Sequence, residues 1–128
     1  MVGLVVLSHS GKVIEGLKEL IHEMASDVTV YGVGGNQEGG LGSDFERTQK
    51  AIEEAYSEEG VIVLFDLGST FMTAEMVIEA LPEEQRGKIR LVDAPLIEGG
   101  ITAAVSISAG LSLEQVIESL GEMKIGKL

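Results

Sequence analysis

The sequence contains no cysteine and no tryptophan, only two prolines, two tyrosines and three phenylalanines, and just two histidines. Lack of cysteine excludes disulfides, thiolate catalysis and Cys-ligated zinc, and it is compatible with a reducing cytoplasm. Cations are scarce as well: nine Lys and Arg against 21 Asp and Glu leave a formal charge of −12. That balance opposes unaided binding to nucleic acid or to an anionic membrane, since both rely on clustered positive groups. It fits either a basic protein partner or the plain solubility of an apolar chain. No apolar run approaches the ~20 residues of a membrane span. Met1 to Leu7 is short, with neither a basic n-region nor a small-residue cleavage site, so the chain reads as soluble, unexported and cytoplasmic.

What is present is apolar and patterned. Hydrophobic residues make up 45% of 128 positions, too many for a disordered acidic chain and enough for one domain spanning residues 1–128. Val2 to Leu7 is a nearly unbroken β-branched and leucine run, the mark of a strand buried on both faces, and it stops at Ser8-His9-Ser10-Gly11. Val13, Ile14, Leu17, Leu20, Ile21 and Met24 then recur at helical spacing opposite a charged face. Val28 to Tyr31 predicts a second strand, followed by a long glycine-rich turn through Gly42. Ser43 with Glu46 reads as a capping box for a second helix, whose buried stripe is Phe45, Thr48, Ala51, Ile52, Ala55 and Tyr56.

Val61 to Phe65 predicts an interior strand that delivers Asp66 to its carboxyl end. Gly68-Ser69-Thr70 turns into a third helix carrying Met72, Met76, Val77, Ala80 and Leu81, and Pro82 marks its stop. Ile89 to Val92 predicts a fourth strand. Ile101 to Ala109 is small and apolar nearly all round, a segment for burial against the sheet, a neighbouring subunit, or both. Ser112 with Gln115 caps a last helix bearing Leu113, Val116, Ile117 and Leu120. This alternation predicts an α/β domain with a mainly parallel sheet of about four strands, covered by helices on both faces with right-handed crossovers.

In such sheets chemistry collects beyond the carboxyl ends of the strands. Ser8-His9-Ser10 and Asp66 to Thr70 both arrive there, with the glycine turn on the same side. His22 falls on the charged face of the first helix and reads as a solvated surface residue. His9 stands where a buried strand meets a helix N-terminus; it either hydrogen-bonds the turn or acts as a nucleophile. A helix N-terminus favours a bound phosphate, and a neutral imidazole there can accept a phosphoryl group when another residue fixes its tautomer. Asp66 can be that orienter, or an N-cap for the third helix, or both. Ser10, Gly68, Ser69 and Thr70 can supply donors to phosphoryl oxygens, or serve as ordinary caps and turn residues.

Competing motifs fail. The first strand is not followed by the glycine pattern of a dinucleotide site. Gly121 to Lys127 matches a phosphate-loop spacing, but Leu128 replaces the required hydroxyl. A receiver domain needs acidic residues where His9 stands, and a histidine phosphatase needs arginines that Arg47, Arg86 and Arg90 are not placed to supply. With no Cys and no paired histidines, no metal site is expected.

Four blocks in register carry a resemblance: Val5-Val6-Leu7-Ser8-His9-Ser10, the glycine turn into Gly42-Ser43-Asp44, Phe65-Asp66-Leu67-Gly68-Ser69, and Ala94-Pro95-Leu96-Ile97-Glu98-Gly99. Together they resemble, over essentially the whole chain, the phosphotransfer subunit of the bacterial phosphoenolpyruvate-dependent dihydroxyacetone kinase. The broader relative is the mannose-family IIA domain of the phosphotransferase system, which typically shows Thr-His-Gly and Gly-Gly-Ser-Pro where this chain has Ser-His-Ser and Gly-Ser-Thr.

The resemblance implies a relay. His9 would take a phosphoryl group from the phosphohistidine carrier protein and pass it to ADP held on a partner kinase subunit, while a third subunit binds dihydroxyacetone. This chain would then bind no sugar, metal or nucleotide cofactor of its own, ADP and ATP residing on the partner, and it would form a homodimer that depends on separate carrier proteins. The alternatives are a sugar-transport IIA component donating to a IIB domain and a non-catalytic regulatory module on the same fold.

Overall fold

The computed structural model describes residues 1–123. Four strands, β1 (Gly3–Ser8), β2 (Val30–Gly34), β3 (Val61–Phe65) and β4 (Ile89–Val92), form one parallel sheet in the order β2-β1-β3-β4. Six helices connect and flank them: α1 (Gly11–Met24), α2 (Phe45–Ala55), α3 (Gly68–Glu79), α4 (Glu83–Arg86), α5 (Leu96–Ser108) and α6 (Leu113–Gly121).

Continuous hydrophobic strands are required because both sheet faces are covered. Within β1, Leu4 and Val6 pack toward α1, α5 and α6, whereas Val5 and Leu7 pack toward α2 and α3. β3 repeats the alternation, with Ile62 and Leu64 on the first face and Val61, Val63 and Phe65 on the second. The register Leu7↔Phe65 sets the ends of β1 and β3 level, so that the residues following them, Ser8-His9 and Asp66, emerge together. Because β2 lies on one side of β1 and β3 on the other, this end of the sheet is its topological switch point, where a crevice opens between diverging connections.

Several local expectations shift. β2 begins later than Val28 and runs through Gly32 to Gly34. Those glycines belong to the strand because α1 crosses it closely: a Cβ on Gly34 would lie 2.5 Å from the Ser10 carbonyl oxygen and 2.6 Å from Gly11 Cα. The capping box at Ser43 and Glu46 does not form. Asp44 is the N-cap of α2 and accepts from Arg47 N–H at 3.2 Å, while the Ser43 hydroxyl accepts from Thr73. The apolar segment Ile101 to Ala109 falls mostly within α5, which starts earlier, at Leu96, with Pro95 as its N-cap. The short α4 carries too little apolar periodicity to read from sequence. The Ser112 and Gln115 capping box is present at α6.

Not every apolar position at helical spacing is buried. α1 buries Ile14, Leu17 and Ile21 but exposes Val13, Leu20 and Met24. α3 buries Thr70, Ala74 and Val77 and leaves Met72, Met76 and Ala80 exposed. Phe45 and Tyr56 flank the α2 stripe without being buried in it. The Gly121 to Lys127 match runs beyond the described residues. No helix among those described is long and apolar enough to cross a membrane.

Candidate active site

β1 ends in Ser8, and the chain turns through His9 to Ser10, the N-cap of α1. β3 ends in Phe65 and turns through Asp66 to Leu67, the N-cap of α3. The Phe71 ring packs on Phe65, centroids 5.2 Å apart, and fixes the first turn of α3 against the strand that carries Asp66. These two turns meet.

Asp66 joins them with both carboxylate oxygens. Oδ2 accepts from the Ser8 hydroxyl at 2.6 Å and from His9 N–H at 3.2 Å, while Oδ1 accepts from Leu67 N–H at 2.7 Å. Oδ1 also lies 3.8 Å from His9 Nδ1. The Ser69 hydroxyl is within hydrogen-bond distance of Nε2 and lies 3.5 Å from Nδ1. The imidazole thus has a carboxylate near Nδ1 and a serine hydroxyl nearest to Nε2, with about a quarter of its side chain exposed. Such a ring is held and still accessible.

The remaining predicted residues separate into different jobs. Ser69 faces the ring, and Gly68 opens α3 beside it, where an added Cβ would meet nothing within 4 Å. Leu67 makes no side-chain cap, so no side chain competes for the amides of this helix N-terminus. Ser10 lies next to His9, but its hydroxyl accepts from Val13 N–H as the cap of α1. Thr70 is buried, and its hydroxyl donates to Leu67 O at 2.7 Å with Asp66 Oδ1 at 3.4 Å, bracing the turn instead of facing outward. Asp66 does not cap α3. His22 is exposed in the last turn of α1.

Three further residues complete the site. The Ser8 hydroxyl both donates to Asp66 and accepts from Ser10 N–H at 3.0 Å, tying one turn to the other. Gly42, in the glycine turn, donates its N–H to the His9 carbonyl at 3.1 Å. The Thr73 hydroxyl is 3.0 Å from both Ser69 O and Ser43 Oγ, linking α3 to the same turn. The hydroxyl beside His9 was a visible signal for Ser8. Nothing local in the sequence pairs Ser43 with Thr73, 30 residues away.

Arg47 pins the glycine turn by donating to Gly34 O at 3.1 Å and Asn36 O at 3.2 Å. Asn36 organises the turn itself, accepting from Glu38 and Gly40 N–H and donating to Leu41 O. No group of three or more His, Asp or Glu among the described residues is arranged to hold a metal ion.

The parallel sheet carries a histidine and an aspartate at its switch point, and the family described as the PTS system fructose IIA component, EIIA-man, matches residues 3–117. The chain belongs to that family. Within it, the chain is 37% identical over 125 residues to the PTS-dependent dihydroxyacetone kinase, phosphotransferase subunit DhaM, of Lactococcus lactis, covering 98% of both proteins. It is 36% identical to the PEP-dependent dihydroxyacetone kinase 2, phosphoryl donor subunit DhaM, of Listeria innocua, over 94% of this chain and 97% of the relative. Among solved structures, the unknown function protein EF1359 superposes with a TM-score of 0.81 at 35% identity, covering 94% of this chain and 93% of its own.

Proposed function

We propose that this chain is the phosphoryl relay of a phosphoenolpyruvate-dependent dihydroxyacetone kinase, with His9 as the residue that carries the phosphoryl group. The observation that carries the reading is the His9 ring with Asp66 Oδ1 3.8 Å from Nδ1 and the Ser69 hydroxyl within hydrogen-bond distance of Nε2. A carboxylate on the Nδ1 side favours the tautomer with its proton there, which leaves the Nε2 lone pair to attack phosphorus. In the first step the Nε2–P bond forms as the N–P bond of the phosphohistidine carrier protein breaks. In the second, a terminal oxygen of ADP on a partner kinase subunit takes the group, giving ATP and restoring the imidazole; that ATP phosphorylates dihydroxyacetone on a third subunit.

Phosphoryl transfer asks for in-line placement and for donors to three equatorial oxygens more than for covalent chemistry by the protein. Ser69, once turned from Nε2, and the amides that open α3 at Gly68 can serve as such donors. The names of the Lactococcus and Listeria relatives support the kinase reading over transport. The chain functions as a cytoplasmic homodimer in this reading, which light scattering tests.

The description of the matching family as a fructose IIA component favours a second reading, donation to a IIB domain. Phosphorylated protein offered both the kinase subunits with ADP and a IIB domain separates the two. Loss of label only to ADP supports the kinase relay, and loss only to the IIB domain supports transport.

A further inference from the structure

Five of the nine residues from Gly34 to Gly42 are glycine, the residue that costs most to hold in one conformation. A turn of that composition keeps a fixed shape only where side chains brace it. Asn36 braces it from within, through Glu38 N–H, Gly40 N–H and Leu41 O, and Arg47 braces it from the first turn of α2. The same turn holds the histidine. Gly35 N–H donates to Ser8 O and Gly42 N–H donates to His9 O, both at 3.1 Å, so its two ends grip successive carbonyls of the segment that carries the His9 ring.

Although 44% of its side chain is exposed, Arg47 turns its guanidinium inward. It donates to Gly34 O at 3.1 Å and to Asn36 O at 3.2 Å, and Nη1 lies 3.7 Å from Asp44 Oδ2. The Asp44 side chain is only 2% exposed, and its Oδ2 has no hydrogen-bond partner among the described residues. A buried carboxylate of this kind depends on its cation. One planar fork therefore joins the end of β2, the base of the turn and the start of α2, a three-way contact that suits arginine rather than lysine.

We propose that Arg47 is a positioning residue for phosphoryl transfer at His9: it fixes the glycine turn, and the turn fixes the His9 main chain so that the ring meets the incoming phosphorus in line. This rests on the relay reading above. The guanidinium contacts the turn and Asp44, so it acts on the ring only through the main chain. In-line transfer is sensitive to small displacements, and a slack turn slows that step without weakening the encounter that precedes it.

The test measures transfer of labelled phosphate from the phosphorylated carrier protein to His9 over a range of carrier concentrations. Arg47→Gln is compared with the unmodified protein, with an Asp44→Asn, Arg47→Gln double variant, and with Lys50→Gln, which makes the same charge change at an exposed position of α2. For Arg47→Gln the expected result is a fall of about tenfold or more in the rate at saturation, with the half-saturating concentration, the pH profile and the final label per chain unchanged. Hydrogen exchange at the Gly42 amide should quicken, reporting release of the His9 carbonyl. The double variant removes the stranded buried charge, so it should regain the unfolding temperature yet transfer as slowly as Arg47→Gln. Lys50→Gln should behave as the unmodified protein.

A full rate at saturation in Arg47→Gln overturns the proposal, as does an equal loss in Lys50→Gln. Recovery of the rate in the double variant does so too, because that variant still lacks the carbonyl brace and the loss would trace to the buried charge alone. A displaced pH profile would make Arg47 a charge acting on the imidazole. A lower final label at an unchanged rate per labelled site would make it a structural residue only, and either result overturns the positioning role. Absence of label on the unmodified protein removes the relay reading together with this one, whereas normal labelling at an unaltered rate in Arg47→Gln removes the positioning role alone.

Discussion

Asp66 grips His9 by its main chain while facing its ring: one carboxylate oxygen accepts from His9 N–H at 3.2 Å and the other stands 3.8 Å from Nδ1. The first contact fixes where the histidine is, and the second bears on which ring nitrogen keeps the proton. Asp66→Asn retains one oxygen, which can keep the Ser8 and His9 N–H contacts but not the Leu67 N–H contact as well, and it removes the charge. The rate of His9 phosphorylation should fall about a hundredfold, with folding largely kept. Rapid-quench labelling together with thermal unfolding separates the two effects.

Ser69 has a lighter task. Its hydroxyl meets Nε2 on an exposed turn, so Ser69→Ala should change stability by no more than about 0.5 kcal/mol. Transfer should slow by about tenfold, the loss of one hydrogen bond to a charged group. A variant that transfers at the full rate would remove Ser69 from the phosphate side of the site.

Gly34 is a packing requirement. An added methyl would press on the Ser10 carbonyl and on Gly11, both backbone, so the neighbours cannot turn aside. Gly34→Ala should destabilise the fold by about 1–3 kcal/mol, measured by denaturant unfolding, and displace the α1 N-terminus next to His9. Gly16→Ala, where a Cβ meets nothing within 4 Å, is the matched control and should be neutral or slightly stabilising.

The charge of −12 predicts a salt effect. If the carrier presents a basic surface, the second-order rate constant for transfer should fall severalfold from low to high ionic strength, while the rate within the complex stays constant. Stopped-flow or quench measurements across a salt series check this. A flat series would assign the acidity to solubility.

Much of this architecture was legible because parallel strands buried on both faces read as unbroken apolar runs: Val61 to Phe65 and Ile89 to Val92 have the bounds that their composition implies. The meeting of His9 with Asp66 was legible from topology, since both follow interior strands. What escaped was set by tertiary approach. Gly32 and Gly34 look like turn residues until α1 is laid across them. Asp44 displaced Ser43 as the α2 cap because the Ser43 hydroxyl is engaged by Thr73. Periodicity counts apolar residues without knowing how wide the partner face is, so Met72 and Met76 were assigned to a core that Ala74 and Val77 already fill.

The most direct test of the central claim is labelling of the purified chain with radioactive phosphoenolpyruvate, enzyme I and the phosphohistidine carrier protein, followed by addition of the kinase subunits with ADP. The account predicts one acid-labile phosphoryl group per chain at His9, absent in His9→Ala, present in His22→Ala, and discharged to ATP when the kinase subunits and ADP are added. Label that persists in His9→Ala, or that no acceptor removes, would contradict it.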